Sequence, residues 1–182
     1  MIKKYLLHVV AIFVVGLYHN VLFSQQDPSF TQYMYNTMII NPAYAGTRDV
    51  LSANVLYRSQ WIGIEGSPQT QSLTLHSPIN DGQMGLGLSV LNDKVGPVSE
   101  TSINGTYSYN VFINEFTRIS FGINAGVELF NTDFTQLNFF DQQDPSFQNN
   151  TDAMVSPQVG AGAMIYNDLF YVSLSVPRIL RT

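Results

Sequence analysis

Ser102–Val111 reads SINGTYSYNV and Arg118–Leu129 reads RISFGINAGVEL. In the first, Ile103, Tyr107, Tyr109 and Val111 share one parity, and Ser102, Asn104, Thr106, Ser108 and Asn110 share the other. In the second, Ile119, Phe121, Ile123, Ala125, Val127 and Leu129 alternate with Ser120, Gly122, Asn124, Gly126 and Glu128. A period of two belongs to β-strands, whose successive side chains point to opposite faces. Working outward, the same pattern returns around Leu51–Arg58, Ser72–His76, Met84–Val90, Gln158–Ile165 and Phe170–Val176. The chain therefore reads as all-β, with about seven antiparallel strands.

Both a soluble sandwich and a membrane barrel would alternate, so other features must separate them. Only 12% of the residues are charged, against about a quarter in a typical soluble domain. The polar parity is built from Gly, Ser, Asn and Thr, which suits a lumen better than a solvated surface. Ten Tyr and twelve Phe are enough for aromatic girdles. Beyond the N-terminus, no apolar run approaches the roughly 20 residues of a membrane helix. Tight turns are expected at Asn80-Asp81-Gly82, Asn114-Glu115 and Asn167-Asp168, alternating with longer links at Ser59–Pro68, Asn92–Pro97 and Asn131–Ser156. This is the layout of an antiparallel transmembrane β-barrel of the outer-membrane type, with short periplasmic turns and longer outer loops. The third link is the longest. It carries Asp133, Asp141, Asp144 and Asp152, and it repeats QQDPSF from the N-terminal region. Seven is an odd number, whereas single-chain bacterial barrels have an even one. The expectation is half of a larger barrel.

Residues 1–24 carry Lys3-Lys4, then an apolar core from Leu6 to Leu22, then Phe23-Ser24. That is the order of a secretory signal, with cleavage expected after Ser24. Residues 25–46 form a different unit, expected to be a periplasmic or plug segment, and residues 47–182 supply the barrel strands. Asp27-Pro28 is a good helix opening. Phe30, Tyr33, Met34, Thr37 and Met38 fall on one helical face, and Asn41-Pro42 ends the run. The spacing predicts a short amphipathic helix, and its position before the first strand suggests docking at or inside the periplasmic mouth through Phe30, Tyr33, Met34 and Met38.

The string DPSFTQYMYNTMIINPAYAG, Asp27 to Gly46, closely resembles the opening of mature PorP/SprF-family proteins. That opening runs DPxFTQYMFN and then NPAYAG. Asp27, Pro28, Phe30, Thr31, Gln32, Tyr33, Met34, Asn36, Asn41, Pro42, Ala43, Tyr44, Ala45 and Gly46 fit it, and Tyr35 stands where phenylalanine is common. GLGLSVLNDKVGP, Gly85 to Pro97, is a second matching stretch in the expected order. The resemblance implies an outer-membrane component of type IX secretion and gliding motility in Bacteroidetes. It implies a role in secreting or displaying particular cargo proteins. It also implies contacts with other secretion or gliding components, with surface cargo and with outer-membrane lipid. Members of the family are longer, with about twice as many strands.

The residues exclude several chemistries. With no cysteine there are no disulfides, thiolate metal sites, catalytic thiols or lipoprotein anchor. A net charge of −5 gives no basic surface for nucleic acid. His76 is the only histidine outside the signal, so neither a histidine metal site nor a serine triad is expected. No cofactor is expected, and an enzyme is not. Arg58, His76 and Glu128 share the lumen-facing parity and could form a polar network there. Asp93 reads as loop chemistry, an Asn/Asp group bonding its own backbone. Gly85-x-Gly87 lies inside a strand with no helix after it, so it is not a nucleotide loop. A passive porin is the alternative to a secretion component. A barrel-borne lipid hydrolase would need a nucleophile–base pair, for which only His76 is on hand.

Overall fold

The computed structural model describes residues 33–133 and 151–179; for Tyr33 and residues 151–153 it describes the backbone alone. All of these belong to one compact unit, Thr31–Thr182. The sequence readings at Asp27, Pro28, Phe30, Gln32, Asp141, Asp144 and the two QQDPSF strings fall outside the described residues.

Seven strands follow one another in chain order: β1 Ser52–Ser59, β2 Gln69–Ile79, β3 Met84–Val95, β4 Val98–Phe112, β5 Arg118–Thr132, β6 Thr151–Tyr166 and β7 Tyr171–Val176. Each pairs antiparallel with the next, in the spatial order β1 to β7. The sheet curls into a half-barrel. Among the described residues, β1 and β7 each pair on one side only. No described helix is long and apolar enough to cross a membrane.

The register carries the alternation across the whole sheet. Ser102 faces Glu128, Thr106 faces Asn124, Ser108 faces Gly122 and Asn110 faces Ser120. The small polar residues thus form one continuous inner face. Ile103, Tyr107, Tyr109, Phe121, Ile123 and Val127 stay exposed on the outer one. Burial inverts the usual preference for apolar interiors. Ser72, Thr74, Thr106, Ser108, Asn110, Ser120 and Asn124 are buried, while buried apolar side chains among the described residues are limited to Met38, Pro42, Ala43, Ala45, Leu91 and Met164. A continuous apolar exterior around a polar interior is the arrangement lipid favours, since outward side chains meet acyl chains and the strands satisfy one another's backbone groups.

The three short turns form by local chemistry. Asn80, Asp81 and Gly82 all take positive φ (54°, 53° and 81°), and Gln83 N–H donates to the Asn80 carbonyl at 3.1 Å. Left-handed Asp-Gly is the favoured centre of a hairpin whose twist matches its strands. The Asn114 side-chain oxygen accepts from the Phe116 and Thr117 amides. The Asn167 side-chain oxygen accepts from Leu169 and Phe170 in the same way. Both turns use one asparagine to satisfy two otherwise unpaired N–H groups.

At the opposite end one expectation is corrected. Asn92–Pro97 is not a long link, because β3 continues to Val95 and β4 begins at Val98. Gly96 turns the chain at φ 58°, a conformation glycine adopts without steric cost. Asp93 accordingly sits within a strand opposite Thr70. Its carboxylate accepts the Thr70 hydroxyl instead of bonding its own backbone. Short and long connections therefore do not alternate throughout. The Ser59–Pro68 link is a true loop, and the third link runs between Thr132 and Thr151.

Candidate functional site

The continuous helix expected before β1 is replaced by three short pieces. Tyr33–Tyr35 is a 3₁₀ turn, Thr37–Ile40 is a single α-turn (α1) and Pro42–Tyr44 is a second 3₁₀ turn. The break at Asn36 has a tertiary cause. Its φ of −127° is outside the helical range, and its side chain is committed to β2. The Asn36 amide donates to Ser72 Oγ, and its oxygen accepts from the Thr74 hydroxyl at 3.0 Å. The expected amphipathic face is also divided. Met38 is buried at 3% exposure, whereas Met34 is 60% exposed. Asn41 takes the extended conformation that a following proline imposes. It then caps the next turn by accepting from Ala43 N–H at 2.9 Å.

Asn36–Gly46 lies as a hook on the inner face of the sheet. It starts over β2, crosses to β6 and returns. Met38 packs on Gly87 of β3. Asn41 reaches β6, where its amide donates to the Ala163 carbonyl at 3.3 Å and lies on Gly162. Pro42 and Ala43 rest on Gly122 of β5, and Ala45 and Gly46 rest on Gly85 of β3. A Cβ on Gly85 or Gly122 would overlap the hook's backbone, and one on Gly162 would overlap the Asn41 side chain, so these glycines permit the hook's close approach to the strands. The hook's carbonyls are satisfied by strand hydroxyls. Ser120 Oγ donates to the Ala43 carbonyl at 2.6 Å, and Ser108 Oγ donates to that of Ala45.

The exit of the hook is fixed through His76. Its Nδ1 accepts from Gly46 N–H at 3.2 Å, and the Tyr44 ring meets the imidazole edge-on with centroids 5.5 Å apart. Gly46 has a φ of 70°, which a side chain would strain. Arg48 Nε donates to the Tyr44 hydroxyl, and Asp49 pairs with Arg118 of β5 at 3.1 Å. A cavity of about 290 Å³ remains beside the hook, lined in part by Tyr35, Asn36, Arg48 and His76.

Farther along the inner face, the chain after β7 turns inward. The Pro177 carbonyl lies on Gly160 of β6, and Ile179 N–H donates to the Val159 carbonyl at 2.7 Å. Arg178 pairs with Glu128 at 3.1 Å and Glu100 at 3.2 Å, while Gln158 Nε2 donates to Glu128 Oε2 at 2.6 Å. Of the residues grouped as a lumen network, His76 is thus engaged by the hook and Glu128 by Arg178 and Gln158. Arg58 stands on β1 beside Gln60, whose amide oxygen, turned to satisfy both groups, accepts from its guanidinium. Among the described residues, no three His, Cys, Asp or Glu side chains converge as a metal site.

Of the motif residues, Tyr33, Met34, Asn36, Asn41, Pro42, Tyr44 and Gly46 lie in or before the hook. Their receptors on the strands are Ser72, Thr74, Gly85, Ser108, Ser120, Gly122 and Gly162, none of which the sequence marked as a seat for this segment, although Gly85 opens the second matching stretch. The available signal was the recurrence of glycine on the inward parity of β3, β5 and β6.

A polar-lined, apolar-jacketed antiparallel half-barrel with an inner segment laid against its strands defines a membrane protein of the β-barrel class. A family model for the type IX secretion system membrane protein PorP/SprF matches residues 22–182. The chain belongs to that family, which consists of secretion-system membrane proteins and is not a known enzyme family. No curated protein matches it, and no solved structure does.

Proposed function

We propose that the protein is an outer-membrane component of type IX secretion that supports the export or surface display of particular cargo proteins, gliding adhesins among them. Residues 1–24 would direct export and be removed. The short turns would then face the periplasm and the loops the cell exterior. Residues 25–46 would act as the plug segment, and other secretion components and cargo would be the partners. Catalysis plays no part in this reading.

The observation that carries it is the hook. A solute channel needs an open, water-filled lumen, whereas here the Asn36–Gly46 segment lies against the inner face from β2 to β6. The passive-porin alternative has no comparable feature in its favour. Two measurements test the proposal. The full chain in planar bilayers should give no steady conductance; sustained single-channel currents would instead support a porin. In cells, deleting Asp27–Asn36 should impair cargo export. If both export and barrel assembly were unchanged, the plug role would be wrong.

A further inference from the structure

The loop between β1 and β2 presents Trp61, Ile62 and Ile64 at 66%, 89% and 61% exposure. Its only charged residue is Glu65. Three large apolar side chains on one loop tip are costly in water, since removing apolar surface from water is favourable. The backbone nevertheless holds them out. Ile64 N–H bonds the Trp61 carbonyl at 3.1 Å, Ser67 N–H bonds that of Ile64 at 3.3 Å, and Gln60 N–H closes the loop on Pro68 at 3.0 Å. Gly96 N–H, from the neighbouring hairpin, donates to the Gly66 carbonyl at 2.9 Å. Trp61 itself takes a φ of 51°, between extended β1 and Gly63 at 95°. The tip is therefore a folded presentation tied to the next hairpin.

The tip follows directly on the apolar exterior. Val55 and Tyr57 are the large exposed outer residues of β1, and Trp61 stands two residues beyond the end of that strand at Ser59. We infer that Trp61, Ile62 and Ile64 form a lipid anchor, inserted at the boundary between headgroups and acyl chains where the outer face meets water. Amphipathic indole at this depth combines an apolar ring with an N–H that still reaches polar partners. The inference rests on the membrane placement proposed above, and continuity with the outer face selects lipid over a protein partner.

Trp61 is the only tryptophan in the chain, so its fluorescence reports this loop alone. The full chain is reconstituted in phosphatidylcholine vesicles whose acyl chains are brominated either near the headgroup or near the bilayer centre. Emission should fall roughly twofold with the shallow quencher and less with the deep one, as expected of interfacial tryptophan. Aqueous iodide should have little effect. A W61F/Y57W variant supplies the reference, because residue 57 then reports the outer face of β1. If residue 57 is quenched by lipid bromine while Trp61 is quenched only by iodide, the tip stands in water and the anchor is refuted, leaving a protein-docking tip. If neither is quenched by bromine, the placement of the sheet in the bilayer fails along with it.

Discussion

The inner face carries two added segments, and only one of them is held by charge as well as by backbone contact. Asn36–Gly46 is neutral, and it is seated by backbone against Gly85 and Gly122 and by the Asn41 side chain against Gly162, with the Ala45 and Ala43 carbonyls capped by Ser108 and Ser120. Pro177–Ile179 also rests on a strand glycine, Gly160, and Ile179 N–H bonds Val159, but charge is added through Arg178 between Glu100 and Glu128. The first grip is steric and short-ranged: it tolerates no extra atom and is indifferent to salt. The second is partly exposed, with side chains of 18–26% accessibility, so solvent and ions weaken it. The hook is therefore expected to be the permanent feature of the interior and the Arg178 segment the adjustable one.

Gly122→Val should break this comparison most sharply. A side chain there collides with Pro42 and Ala43, and overpacking a seated backbone is expected to cost about 3 kcal/mol or more. The folded, heat-modifiable form should melt at lower temperature, and Asn36–Gly46 should become open to protease. Gly105→Val is the control, since its new Cβ meets nothing nearer than the Ala125 carbonyl at 3.8 Å and should leave both readouts unchanged. Equal effects of the two would show that strand glycines matter generally and that the hook is not specifically seated.

Removing the hydroxyls comes next. Ser120→Ala leaves the Ala43 carbonyl without its donor in a buried setting, a loss of about 1–3 kcal/mol. Thermal melting in detergent should shift downward, with no dependence on salt. Arg178→Gln should cost less, about 1 kcal/mol, because the pairs are only partly buried. Its effect should shrink as salt is raised, which a melting series at low and high ionic strength would show. A salt-independent loss would place Arg178 with the steric grip. The smallest effect belongs to Asn114→Ala, where two exposed turn amides lose one shared acceptor. About 0.5–1 kcal/mol is expected from net hydrogen-bond loss, measured as faster amide exchange confined to the β4–β5 turn.

Much of the architecture was legible because a sheet converts sequence parity directly into sides. Ser102–Val111 and Arg118–Leu129 announced both their strands and their inward residues, and Asn80-Asp81-Gly82 announced its turn. The errors fall where a distant partner overrides local preference. Tyr33–Met38 has helical spacing, yet Asn36 leaves the helix to bond Ser72 and Thr74. Asn92-Asp93-Lys94 is rich in loop formers, yet Thr70 receives Asp93 across the ladder and keeps β3 intact to Val95. The glycines under the hook looked like ordinary small residues on a lumen face. Their meaning lies in the residue opposite, which no spacing within the strand encodes.

The sequence by itself determined the strands, the division into a polar inner and an apolar outer face, and the opening motif that places the chain in its family. Each of these depends on nearest neighbours or on matched strings. Tertiary structure alone decided the path of Asn36–Gly46 across the inner face, the seat of His76 beneath Gly46, and the inward turn of Arg178 toward two glutamates. Those features join residues as many as 122 positions apart, as Asn41 and Ala163 are. Only the curled sheet brings such residues close enough for a hydroxyl to cap a carbonyl or a glycine to admit a backbone.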